Sequence, residues 1–91
     1  KKEAELGYFL RKDYWGQGLM TEVVCELVFL SFTKFDFKRL TIITHEENIA
    51  SQRVAMKAGF KLFRQFKGSD RYTRKMRDYT EYHYEKGDFN E

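Results

Sequence analysis

The order in which hydrophobic periodicities change along the first sixty residues constrains this chain more than any other feature. "AELGYFL" reads as a strand, rich in aromatic and aliphatic residues and closed by the turn-prone "RKD". From Leu19 onward, Met20, Val23, Val24, Leu27 and Ser31 follow the i, i+3, i+4, i+7 spacing of one helix face. Val28 and Leu30 widen that stripe, and the helix is expected to run to Thr33 or Lys34. "KRLTIITHE" is a β-branched run of strand length, and "ENIASQRVAMKAGF" then opens a second helix with Asn48 as N-cap and Gly59 as its stop. Strand, helix, strand, helix admits few solutions: neighbouring parallel strands joined by a right-handed crossover helix that packs on one face. The remaining segments, "KLFRQF", "RYTRKM" and "DYTEYHYEK", have strand composition, with a turn expected near Gly68-Ser69-Asp70 or from Thr73 to Met76. The expected class is α/β (α+β), a β-α-β-α-β-β mixed sheet with an antiparallel tail.

At the first strand-to-helix junction the chain reads "DYWGQGLMTE", with Gly16 and Gly18 one residue apart. A helix N-terminus presents amides without intrahelical acceptors and carries partial positive charge, so a strand, a tight glycine loop and a helix together form a natural anion cradle. Glycine lets the anion approach the backbone where a Cβ would block it. The spacing is too short for a G-x-x-x-x-G-K-[ST] phosphate loop and lacks the third glycine of G-x-G-x-x-G. By spacing alone, a plain tight turn into a helix fits as well, and the ligand stays unnamed.

Ninety-one residues bound the chain to one domain with a thin core. Hydrophobic residues at 42% and charged ones at 34% place it outside the disordered class. A net charge of +3 is too small to imply a nucleic-acid ligand by itself. The one cysteine, Cys25, excludes an internal disulfide framework and suits a reducing compartment, with the cytoplasm as default. No apolar run is long enough to span a bilayer, so no membrane partner is expected. Strand-like sequence begins within a few residues of Lys1, which reads as a truncation.

Taken together and in order, "AELGYFLRKDYWGQGLMTEV" and "RLTIITHEENIASQRVAMKAGF" resemble the second half of a GCN5-related N-acetyltransferase (GNAT) domain. The branch that acetylates N-terminal amines of ribosomal proteins is the most similar, and the likeness covers residues 4–84. The resemblance implies that residues 1–91 are the coenzyme-binding C-terminal half of such a domain, a partial GNAT fold. It implies acetyl-coenzyme A as cosubstrate, with the backbone of Phe9 and Leu10 on the pantetheine arm and the amides of Gly16, Gln17, Gly18, Leu19 and Met20 on the pyrophosphate. It also implies that Asn48 hydrogen-bonds the coenzyme, that Ser51 sits near its sulfur, and that the first two strands splay to admit the arm. The acceptor would be a primary amine such as a protein N-terminus, and no metal is needed. Two features depart from the family pattern: Asp13 stands where Arg or Gln is usual, and the chain has no proline before the loop. Asp13 is expected to point away from the phosphates, as a helix cap.

Acetyl transfer to an amine requires a neutral amine, a polarised carbonyl and a proton for the departing thiolate. Ser51, Val54, Ala55 and Ala58 share one helix face, which turns Ser51 inward, where its hydroxyl could donate to the sulfur. Its bland alternative is a first-turn serine bonded to nearby backbone. Glu5 stands as general base, directly or through water, against an equally good reading as a solvated strand carboxylate. Cys25 reads as a packed helix cysteine, and Glu81, His83 and Glu85 as a solvated charged strand face rather than metal ligands. Seven basic and three Phe or Tyr side chains interleave in residues 61–77, the mix of a single-stranded RNA binder. A small basic RNA-binding module is therefore the rival reading, although nucleic acid is not the expected partner; a non-catalytic member of the fold is the third. A truncated sheet would leave an edge that a homodimer could cover.

Overall fold

The computed structural model describes residues 3–7, 17–70 and 72–89. Its elements are β1 (Glu3–Glu5), α1 (Gln17–Thr33), β2 (Arg39–His45), α2 (Ile49–Lys57), β3 (Lys61–Ser69) and β4 (Met76–Glu85), followed by a 3₁₀ turn at Lys86–Asp88. The four strands form one mixed sheet in the order β1-β2-β4-β3. β1 runs parallel to β2, with Glu3 opposite Arg39 and Glu5 opposite Thr41. β4 is antiparallel to both of its neighbours, so β3 and β4 form a hairpin whose second strand lies between β2 and β3. The β-α-β-α-β-β order expected from the sequence is the order observed.

Period-two alternation sets the two faces. In β2, Leu40, Ile42 and Thr44 are buried while Arg39, Thr41, Ile43 and His45 are half-buried on the other side. α1 and α2 cover the first face. Met20, Val24, Val28 and Phe32 from α1 meet Val54 and Ala55 from α2 over Leu40, Ile42 and Tyr82. Met20, Val24 and Val28 belong to the expected stripe, with Val23 and Leu27 partly buried against the core, while Phe32 extends the i+4 row beyond that expectation. An aromatic cluster closes one end: Phe32, Phe60 and Phe89 all pack on Tyr84, with ring centroids 5.4, 5.5 and 6.3 Å away.

The turns follow their own chemistry. Asn48 caps α2, its Oδ1 accepting from the Ser51 N–H at 3.1 Å, and Gly59 ends the helix with φ 105°. Between β3 and β4, Asp70 Oδ1 accepts from the Tyr72 and Thr73 amides at 2.8 and 3.0 Å. No helix among the described residues is long and apolar enough to cross a membrane.

Of the first strand, expected through Leu10, the described residues pair with β2 over Glu3–Glu5, with one further bond from Leu6 N to Thr41 O at 2.7 Å, and residues 8–10 lie outside the described residues. Two expectations change. Cys25 is exposed rather than packed, because it lies off the α1 stripe that meets the sheet. Glu81 and His83 do share a strand face, but it is not solvated at that point. A register irregularity between Leu62 and Arg64 inserts Phe63 as an extra residue, and its ring stacks on His83 with centroids 4.1 Å apart.

Candidate functional site

Of the described site candidates, Glu5 stands where the ladder between β1 and β2 ends. Leu6 N makes the last backbone bond from β1, to Thr41 O. In a continuing parallel ladder the Ile43 N–H would next donate to the Leu6 carbonyl. It donates instead to Glu5 Oε2 at 3.2 Å, and the same oxygen accepts from Gly7 N at 2.9 Å. Glu5 is thus an exposed strand carboxylate tied to backbone at one of its two oxygens. Gly7 fits this close approach through its missing side chain, since a Cβ there would lie 2.5 Å from the Ile43 carbonyl oxygen.

α1 begins beyond this point. The first-turn amides of Gln17, Gly18, Leu19 and Met20 are those an α-helix leaves without intrahelical acceptors, and no acidic residue stands in that turn to compete with an anion. Gly18 is exposed, and a Cβ on it would meet nothing within 4 Å among the described residues. Packing among the described residues therefore does not account for a glycine in this helix, where it costs about 1 kcal/mol relative to alanine. Phe9, Leu10, Asp13 and Gly16 lie outside the described residues.

On the helix-covered face, α2 carries Ser51, 4% exposed. Its position is fixed from two sides, by the Asn48 cap and by the Gln52 side-chain amide, which donates to the His45 and Glu46 carbonyls at 3.2 and 2.5 Å. Asn48 itself spends Oδ1 on the cap. The sheet face that holds Leu40 and Ile42 continues into Thr44 and, directly across from it on β4, Thr80. Both threonines are buried, and Thr80 Oγ1 has no hydrogen-bond partner among the described residues. The sequence reading passed over this pair. The signal was present in "LTIIT", where Thr44 falls in step with Leu40 and Ile42, a hydroxyl at a core position.

The opposite face is polar and internally paired. Glu81 receives Arg64 Nε at 2.9 Å and His83 Nε2 at 2.7 Å. Burial pushes the Glu81 carboxyl up, but the hydrogen bonds from His83 and Arg64 outweigh it and hold the group below its ordinary value. Arg39 pairs with Glu85 at 2.7 Å and reaches Glu3 at 3.8 Å. No cluster of three or more His, Cys, Asp or Glu among the described residues is placed to hold a metal ion. Part of the basic and aromatic run of residues 61–77 is engaged internally. Arg64 pairs with Glu81, Lys67 with Asp78, and Arg77 with Glu47; Phe63 stacks on His83 and Phe66 on Tyr79.

The acetyltransferase (GNAT) domain family matches residues 1–61. The probable N-acetyltransferase YjcK of Bacillus subtilis (strain 168) is 40% identical over 57 residues, 63% of this chain and 32% of that protein. The chain spans about a third of the length of the curated relatives it matches. Among solved structures, RimL, a ribosomal L7/L12 alpha-N-protein acetyltransferase in complex with coenzyme A, superposes with a TM-score of 0.70 at 25% identity, over 80% of this chain and 41% of that one. The ribosomal-protein-S5-alanine acetyltransferase from Vibrio fischeri shares the fold, with a TM-score of 0.74 at 19% identity, over 87% of this chain and 43% of that one.

Proposed function

The chain belongs to the GNAT acetyltransferase family, and from that premise we propose that the protein moves the acetyl group of acetyl-coenzyme A directly to a primary amine, such as a protein N-terminus. The observation that carries this reading is the end of the β1–β2 ladder at Leu6, together with a helix that opens with a glycine no contact among the described residues requires. The first supplies a slot for an extended arm, and the second an open row of amides for a diphosphate.

On this reading the amides of Gly16, Gln17, Gly18, Leu19 and Met20 hold the pyrophosphate, and the backbone of Phe9 and Leu10 pairs with the pantetheine arm. Asn48 donates to the coenzyme through Nδ2, its Oδ1 being taken by the cap. Bound acetyl-coenzyme A supplies the activated thioester. Backbone N–H groups near Phe9 polarise its carbonyl, and the inward Ser51 hydroxyl gives a proton to the sulfur as the C–S bond breaks. The amine nitrogen forms the new C–N bond and loses its proton to solvent or a carboxylate, so alignment supplies much of the rate. The family implies such an acceptor, and its resemblance to ribosomal-protein acetyltransferases favours a protein N-terminus. The single cysteine and a thiol coenzyme both suit the reducing cytoplasm. A homodimer through the β3 edge would have to accommodate the bulge at Phe63 and the charges of Lys61, Arg64 and Lys67, features that oppose strand pairing.

The rival RNA-binding reading is weakened where Arg64, Lys67 and Arg77 pair with carboxylates and Phe63 and Phe66 stack within the chain. Calorimetric titration with coenzyme A and, separately, with short single-stranded RNA at physiological salt tests the choice. Micromolar coenzyme A binding that weakens in Gly18→Val supports the transferase. Coenzyme A giving no heat while RNA binds would overturn it.

A further inference from the structure

We propose that Glu5 is a positioning residue for the coenzyme slot: its carboxylate replaces a backbone acceptor and thereby lets β1 leave β2 without orphaning the Ile43 amide. The proposal rests on the coenzyme reading, but the observation beneath it is independent of any ligand. A parallel strand pair that simply stops leaves donors and acceptors without protein partners on both sides of the gap, where water alone would have to satisfy them. Here the β2 side of that problem is solved by one side chain. Glu5 Oε2 takes the Ile43 N–H at 3.2 Å in the place where the Leu6 carbonyl would stand in a continuing ladder. The same oxygen holds Gly7 N at 2.9 Å, which bends the chain two residues beyond the carboxylate.

Gly7 completes the device. A Cβ at that position would press on the Ile43 carbonyl oxygen at 2.5 Å and on the Glu5 carboxylate itself. The pair Glu5 and Gly7 thus fixes where the ladder between the two strands ends, with the Leu6 carbonyl released from the Ile43 amide. Released backbone next to a separated β2 is what an extended ligand rich in amides needs, because such a ligand binds by strand-like hydrogen bonds. Glu5 acts through the backbone it holds, by accepting hydrogen bonds rather than by moving a proton. Its charge shortens and strengthens those bonds relative to a neutral acceptor.

The test compares Glu5→Ala with Glu5→Gln, which keeps a carbonyl acceptor of nearly the same reach. Amide hydrogen exchange followed by NMR on the ligand-free protein reads the clamp itself. Exchange at Ile43 and Gly7 should rise about tenfold or more in Glu5→Ala, the size expected for losing one charge-assisted bond, and far less in Glu5→Gln. Calorimetry with coenzyme A should then show weakened binding in Glu5→Ala and near wild-type affinity in Glu5→Gln. Unchanged protection at Ile43 in Glu5→Ala overturns the proposal. So does a Glu5→Gln protein that keeps coenzyme affinity and Ile43 protection but loses acetyl transfer, because that pattern belongs to a general base. Absence of coenzyme binding in every variant, wild type included, counts against the transferase reading and leaves the exchange result to decide the clamp.

Discussion

Replacing Gly18 with alanine should make the protein more stable and worse at binding coenzyme A. Gly18 is the second residue of α1, is exposed, and has nothing within 4 Å of a built Cβ among the described residues. The added methyl therefore meets no steric cost among the described residues and removes backbone freedom from the unfolded state, which stabilises by about 0.5–1 kcal/mol. With an unfolding entropy of roughly 2.1 cal/mol/K per residue, that corresponds to a rise in Tm of about 3–5 °C for a chain of this size. Circular dichroism melts measure it directly. The same methyl lies where an anion would approach the first-turn amides, and a misfit of about 1–3 kcal/mol weakens binding roughly 5- to 150-fold. Calorimetric titration of Gly18→Ala with coenzyme A reads that loss. A lower Tm would show that Gly18 serves the fold, and an unchanged Kd would show that the ligand does not approach there. Either result refutes the reasoning, since opposite signs for stability and binding are what a glycine kept for a ligand requires.

Gly59→Ala should destabilise by about 1–2 kcal/mol or more, since φ is 105° and a Cβ would lie 2.9 Å from the Tyr84 ring; urea denaturation measures it. Leu40→Ala removes a fully buried side chain between β2 and both helices, and should lower stability by about 2–5 kcal/mol with an unchanged denaturant slope. The Thr73 and then the Tyr72 backbone N–H groups hold the Asp70 carboxyl below its ordinary 3.8. Because the folded-state value is the lower one, this contribution is complete above 3.8 and is lost as pH falls through the folded value. The stability of Asp70→Asn should consequently fall less steeply on acidification below 3.8 than that of the wild type, as followed by thermal melts across pH.

Much of the fold was legible because periodicity reports burial directly. The α1 stripe through Met20, Val24 and Val28, the Asn48 cap and the Gly59 stop all come from side chains whose pattern encodes a local geometry. The insertion of β4 between β2 and β3 was not legible, since strand order is set by backbone pairing over long separations, which side-chain alternation alone does not specify. Nor was the Glu5 clamp, where a carboxylate stands in for a main-chain carbonyl and leaves no periodic trace. Phe63 hid for a related reason. A bulge moves one residue out of step, so the cover it places over His83 breaks the alternation that sequence reading relies on. Thr44 and Thr80 were visible as hydroxyls at core positions, but their pairing across β2 and β4 required the register.

The central claim is that the opening turn of α1 and the gap beside β2 form a coenzyme cradle. The most direct measurement is an NMR titration of the isotope-labelled protein with coenzyme A, following backbone amides. The account predicts the largest shifts at Gly16, Gln17, Gly18, Leu19 and Met20, with further shifts at Phe9, Leu10 and Asn48 and none of comparable size in residues 61–77. Saturable shifts confined to residues 61–77, with the α1 amides unmoved, would contradict it.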